Sequence, residues 1–191
     1  MEIRSFLAFE LPREIKRIVS DVSLEMKRFP LDVRWTKVEN IHLTIIFLGN
    51  IHTDQLGPMG EAVKRVCQSY APFNISLNGA GAFGNRRNPR VLWVGLKGDL
   101  ERMSPFRDVL QEHLGPFGIK EEKRRFKPHL TLGRFRKGGA RGASLNDLLS
   151  PYQDLTSPVC AIEELALFKS DLKPGGPIYT KLNTWPLKGT R

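Results

Sequence analysis

The chain has 191 residues, 40% of them hydrophobic, with 30 Lys and Arg against 20 Asp and Glu for a formal charge of +10. That length supports one domain or two small lobes sharing a cleft, with a sizeable core. Cys67 and Cys160 are the only cysteines and stand in no zinc-type spacing, which argues against a disulfide framework or thiolate metal site.

The positive surplus favours polyanionic partners such as RNA, DNA or small phosphates. The N-terminal residues lack the apolar core of a signal peptide, and no apolar stretch reaches membrane length. The expected location is therefore the reducing cytoplasm, with no membrane partner.

The run Ser5 to Glu10 predicts an opening strand. Leu11-Pro12 then starts a helix whose apolar positions Ile15, Ile18, Val19, Val22 and Met26 recur at helical spacing until Pro30. Val33 to Thr36 reads as a short strand and Ile41 to Leu48 as a stronger one, terminated by Gly49-Asn50. Thr53-Asp54-Gln55 caps a helix running to about Tyr70, followed by a strand from Phe73 to Gly81. A basic loop, Gly84 to Arg90, feeds the strand Val91 to Leu96.

The second half repeats these element types: a helix from about Leu100 to Leu114, a basic approach Lys123 to Pro128, and a strand His129 to Phe135. Gly138 to Gly142 reads as a loop, Ser144 to Leu149 as a short helix, and Val159 to Phe168 and Ile178 to Trp185 as strands. Alternating strands and helices predict an α/β or α+β arrangement with helices covering one face of each sheet. The repetition predicts two lobes related by approximate symmetry.

Two of the four histidines lie in the same tetrapeptide, as His42-Leu43-Thr44-Ile45 and His129-Leu130-Thr131-Leu132. On a strand, alternate side chains share a face, so each His lies beside its Thr while Leu and the next aliphatic residue point into a core. Side by side, the two copies offer two proton carriers and two hydroxyl donors, a set suited to a phosphate ester. A duplicated structural strand explains the pattern less well, since it does not require His in both copies. Metal binding fits poorly, because neither motif strand adds a third ligand on the same face. His52 and His113 belong to no motif.

These motifs resemble those of the 2H phosphoesterases, and within them the RNA 2′,3′-cyclic phosphodiesterases, also called 2′-5′ RNA ligases. The resemblance extends over Arg4 to Phe9, Trp35, Phe47-Leu48-Gly49, Arg90 to Gly95, Pro128, Arg134, Leu167 to Ser170, Tyr179, Leu182 and Trp185-Pro186-Leu187. Ile45 stands where Leu is common, on the inward side. The resemblance implies a bilobal α+β fold over residues 1–191, two pseudo-symmetric lobes of antiparallel sheet with helices on the outer faces and a central cleft. It also implies no metal or nucleotide cofactor and a substrate of RNA with 2′,3′-cyclic phosphate or 2′-5′ linked ends; a monomer is the expected state.

By the same resemblance His42 is the general acid that protonates the 3′ oxygen and His129 the general base that activates water, giving a 2′-phosphate. Thr44 and Thr131 are expected to donate to the nonbridging oxygens. Arg134 is a further candidate for substrate binding, but regular alternation from His129 places it on the opposite face unless a bulge or the strand's end intervenes. Arg34, Arg86, Arg87, Arg90, Arg124, Arg125 and Lys127 are candidates to track the RNA backbone. Phe9, Phe47, Phe83 and Phe126 are candidates to stack a terminal base. Two alternatives remain open at this stage: reversible joining of 2′-5′ linked ends by the same histidines, and a non-catalytic module that only grips RNA ends.

Overall fold

The computed structural model describes residues 1–85, 88–136 and 145–191. Among them, nine strands form two antiparallel sheets. The first has the order β3-β1-β8-β9, with β1 Glu2–Phe9, β3 Leu43–His52, β8 Glu164–Lys173 and β9 Gly176–Pro186. The second has the order β2-β6-β5-β4-β7, with β2 Val33–Trp35, β4 Phe73–Asn85, β5 Asn88–Gly98, β6 His129–Phe135 and β7 Cys160–Ile162. The helices are α1 Arg13–Met26, α2 Leu56–Cys67, α3 Leu100–Leu114 and the short α4 Leu145–Leu149.

The α+β fold is thus a pair of antiparallel sheets, but the lobes are not the two halves of the chain. Each sheet takes strands from both the N-terminal and the C-terminal part. One continuous core joins Leu7 and Leu43 of the first sheet, Leu77, Leu92 and Leu130 of the second, and the apolar faces of α1, α2 and α3. Ile15, Val19, Val22 and Met26 of α1 are all buried, as their helical spacing predicts. On the opposite face of the first sheet, Phe6, Ala8, Ala166 and Phe168 form a separate small cluster with Tyr179 packed against it.

Four sequence boundaries change, each for a tertiary reason. Gly49-Asn50 does not end its strand: Gly49, at φ 73°, pairs with Ser5 beside a register shift, and β3 continues to His52. The predicted basic loop is largely strand, since β4 and β5 run as a long hairpin pairing Asn85 with Asn88. The predicted strand Val159 to Phe168 divides at Glu163, where the chain passes from the second sheet, pairing with β4, to the first, pairing with β1. The first strand begins at Glu2, where Met1 and Glu2 are held against Thr53 and His52. The predicted loop Gly138 to Gly142, Ser144, Arg86 and Arg87 lie outside the described residues. Among the described residues no helix is long and apolar enough to cross a membrane.

Candidate active site

The two tetrapeptides place their side chains as strand alternation requires. Leu43 and Ile45 are 1% and 5% exposed, and Leu130 and Leu132 are both 0%. His42, Thr44, His129 and Thr131 are only half-buried, on the other side of their strands. Among the described residues neither threonine hydroxyl is engaged by a protein group.

His42 immediately precedes β3, after a 3-10 turn over Val38–Asn40. Its Nδ1 lies 2.7 Å from the carbonyl oxygen of Asn40, whose own amide donates to the Pro177 carbonyl at 2.9 Å and ties the turn to β9. The imidazole stacks on Phe6 with centroids 4.7 Å apart and planes 24° apart, and meets Tyr179 edge-on at 5.4 Å. Ala8 and Ala166 are paired neighbours in β1 and β8, and their small side chains leave room for this aromatic layer. Burial pushes the His42 pKa down, with the Asn40 carbonyl opposing it. A cavity of about 260 Å³ opens beside the ring, lined by Glu10, Lys16, Glu39, Asn40, Phe168, Tyr179 and Lys181.

His129 opens β6, and its Nδ1 lies 2.7 Å from the Lys127 carbonyl oxygen across Pro128. Phe83 meets the ring edge-on at 4.8 Å. Burial lowers this pKa as well; the Lys127 carbonyl opposes the shift and the positive charge of Arg134 adds to it. A carbonyl oxygen only accepts, so in both histidines Nδ1 carries the hydrogen. Each neutral ring therefore presents an unprotonated Nε2.

Arg134 reaches this face because β6 is bulged. Leu92 pairs with Gly133 but the next residue, Trp93, pairs with Thr131, leaving Leu132 without an opposite number. The extra residue resets the alternation, so the side chain predicted to point away returns to the side of His129. Gly133 at the bulge lets β2 approach closely: a Cβ there would lie 2.4 Å from Val33 Cγ1 and 3.1 Å from the Arg34 carbonyl oxygen. The Arg134 charge bears on both His129 and Tyr179. Arg134 and Tyr179 thereby connect the two histidines across the cleft between the sheets.

Other sequence candidates separate cleanly. Phe9 is 0% exposed inside the core and is unavailable to a base. Phe126 packs beneath the Arg107 guanidinium, and Arg124 is held by Glu122 at 2.8 Å. Phe83 lies in the cleft, Lys127 has its ammonium 6.0 Å from that ring, and Phe47 is 67% exposed near Phe6. Arg34 pairs with Arg134 across β2 and β6, while Arg90 and Arg125 are exposed. His52 pairs with Asp54 on the surface, and His113 donates to the Val109 carbonyl one turn back in its helix. Cys67 is buried and its pKa is pushed up to about 12, the behaviour of an inert core thiol. The residues missed in sequence are Phe6, Phe168 and Tyr179 around His42. They lie in segments that carry the family resemblance, but on three strands far apart in the chain, and only the folded sheet brings them around one histidine. Among the described residues no group of three His, Cys, Asp or Glu could hold a metal ion.

Two facing antiparallel sheets carrying one half-buried His and one Thr each define the protein as a two-histidine phosphoesterase in fold and site layout. The chain belongs to the 2′-5′ RNA ligase superfamily, whose family description matches residues 10–174. It is 33% identical over 98% of its length to the whole of a protein of Methanothermobacter thermautotrophicus named RNA 2′,3′-cyclic phosphodiesterase. A protein of the same name from Methanocaldococcus jannaschii is 30% identical, matching 96% of this chain and 100% of its own length. Among solved structures, TT0787 of Thermus thermophilus superposes with a TM-score of 0.83 at 26% identity, over 99% of this chain and 100% of its own. E. coli LigT shares the fold at a TM-score of 0.76 and 24% identity, over 98% of this chain and 99% of its own.

Proposed function

We propose that this chain, acting as one bilobal domain over residues 1–191, hydrolyses the 2′,3′-cyclic phosphodiester ends of RNA to 2′-phosphomonoesters in the cytoplasm, as a monomer without a metal. The observation that carries the reading is the matched pair of imidazoles on opposite sheets, each with Nδ1 fixed by a backbone carbonyl and Nε2 left for proton transfer. The names of relatives that match nearly the whole chain support the substrate class.

In this reading Nε2 of neutral His129 takes a proton from water as the oxygen attacks phosphorus. The bond from phosphorus to the 3′ oxygen breaks, and that oxygen takes a proton from Nε2 of protonated His42. The nearby positive charge of Arg134 favours the neutral, basic form of His129. The face of Phe6 beneath His42 favours the imidazolium, as aromatic faces attract cations, and the bound phosphate anion adds to that preference. Thr44 and Thr131 donate to the nonbridging oxygens, where charge accumulates. Arg134 attracts the phosphate into the cleft.

Incubation with a nucleoside 2′,3′-cyclic phosphate without added metal tests the reading. The 2′-monophosphate is expected as sole product. A 3′-monophosphate reverses the assigned leaving group, and binding without turnover leaves only an RNA-end module. The family description also supports a second reading, in which a 5′-hydroxyl takes the place of water, gives its proton to His129 and attacks phosphorus, joining the ends through a 2′-5′ linkage as the 3′ oxygen leaves with the His42 proton.

A further inference from the structure

Arg4 lies in β1, four residues before Ala8, and shares its cleft-side face with Phe6 and Ala8. It pairs with Asn50 on β3 and stands one rung beyond the pair Ser5–Lys169 on β8. The next residue of β8, Ser170, pairs with Tyr179 of β9. Arg4 and Tyr179 therefore belong to one row across the first sheet, and the charges of Arg4 and Arg134 both bear on the Tyr179 phenol. The charges of two guanidinium groups from opposite sheets thus act on the same phenol.

Both groups are unpaired. Among the described residues no carboxylate stands within ion-pair distance of Arg4 or Arg134, and the undescribed residues include no Asp or Glu. Lys181 beside His42, by contrast, is matched by Glu10. Unpaired guanidinium groups in one cleft repel unless anions lie beside them.

One phosphate does not account for both. The reacting phosphate belongs at the level of Thr44, which pairs with Ala8. At ~3.3 Å per residue, Arg4 departs from β1 roughly 13 Å further along the strand. An arginine side chain spans only part of that distance, so its guanidinium meets a group displaced from the reacting one. In an RNA strand the next anion in line is the phosphodiester on the 5′ side of the terminal nucleoside.

We propose that Arg4, with the Tyr179 hydroxyl beside it, holds that preceding phosphodiester, so that the enzyme selects RNA ends of two or more nucleotides over cyclic mononucleotides. This rests on the phosphodiesterase reading but is separable from it. Arg4 acts on substrate affinity rather than on proton transfer, and its contribution exists only where a second phosphate exists. Its exposed position means that substitution leaves the core untouched.

The test compares wild type and Arg4→Gln on adenosine 2′,3′-cyclic phosphate and on the ApA dinucleotide carrying a terminal 2′,3′-cyclic phosphate, with thermal unfolding as the check on folding. Arg4→Gln is expected to lower kcat/KM on the dinucleotide at least ~10-fold more than on the mononucleotide, through KM, as loss of a charge-assisted hydrogen bond predicts. Arg4→Lys should restore part of the difference. Equal losses on the two substrates, or no loss on the dinucleotide, overturn the proposal. If wild type turns over neither substrate, the phosphodiesterase reading fails, and calorimetric titration with ApA 2′-phosphate and adenosine 2′-phosphate then decides Arg4 alone. Selective weakening of the dinucleotide by Arg4→Gln upholds the second phosphate site, and unchanged relative affinity overturns it.

Discussion

His42 and His129 make the same hydrogen bond: each Nδ1 lies 2.7 Å from the carbonyl oxygen two residues upstream, Asn40 in one lobe and Lys127 in the other. Fixing Nδ1 as donor sets the neutral tautomer and aims Nε2 outward without recruiting a carboxylate. The two rings nevertheless sit in different surroundings. His42 lies on aromatic faces, and His129 lies within the field of Arg134. In the proposed mechanism, equivalent geometry with unlike environments separates the acid from the base on otherwise repeated strands.

His42→Ala and His129→Ala should each lower kcat by at least ~10²-fold with unfolding temperature little changed, because each removes a proposed general acid or base. Thr44→Ala and Thr131→Ala should lose less, about 10-fold, the scale of one hydrogen bond to a charged group. Steady-state kinetics on a cyclic phosphate ranks them. A threonine loss larger than a histidine loss reverses the roles given to the two residue types.

Both histidine pKa values are lowered by burial, which gives two pH predictions. The free enzyme needs one neutral and one protonated ring, so kcat/KM should peak below about pH 6.5, the ordinary imidazole value. For stability, the folded state binds protons less readily than the unfolded chain. Stability is therefore fully present above about pH 6.5 and declines as pH falls through the lower folded values. Chemical denaturation at stepped pH should show that decline, and His42→Gln should reduce it. A kcat/KM maximum above neutrality contradicts the first prediction, and an unchanged acid decline in His42→Gln contradicts the second.

Gly133→Val should break the link between the bulge and Arg134. The added side chain meets Val33 and the Arg34 backbone, and overpacking of this kind costs about 1–3 kcal/mol. Activity should fall further than in Arg134→Ala, because the strand bearing Thr131 shifts as well. Unfolding midpoints and kinetics on the two variants check this, and a Gly133→Val enzyme with wild-type values removes the bulge from the account.

Exhaustive chelation should leave turnover unchanged, since proton transfer by two imidazoles and donation by two hydroxyls complete the proposed chemistry. Activity measured before and after dialysis against a chelator decides it. Strict recovery on adding a divalent metal contradicts the proposal.

Much of the site was legible because strand alternation is local. Leu43, Ile45, Leu130 and Leu132 point inward, and that alone places each His beside its Thr. Arg134 was not legible by the same rule. The bulge that turns it back is set by the pairing of β6 with β5, where Leu92 and Trp93 meet Gly133 and Thr131, a match between segments about 40 residues apart. The strand-like runs on either side of Glu163-Glu164 likewise read as one strand from Val159 to Phe168, since nothing local says that the chain passes there from one sheet to the other. Phe9 looked available to a base only because nothing local distinguishes a core aromatic from a cleft aromatic, whereas Phe6, three residues earlier, carries the His42 stack.

The division of labour between His42 and His129 is tested most directly with a cyclic phosphate whose 3′ bridging oxygen is replaced by sulfur. A thiolate leaves without needing a proton, so the general acid becomes dispensable while activation of water does not. His42→Ala should recover to near the wild-type rate on this substrate, and His129→Ala should remain impaired by at least ~10²-fold. Recovery of His129→Ala instead, or equal impairment of both variants, would contradict the assignment.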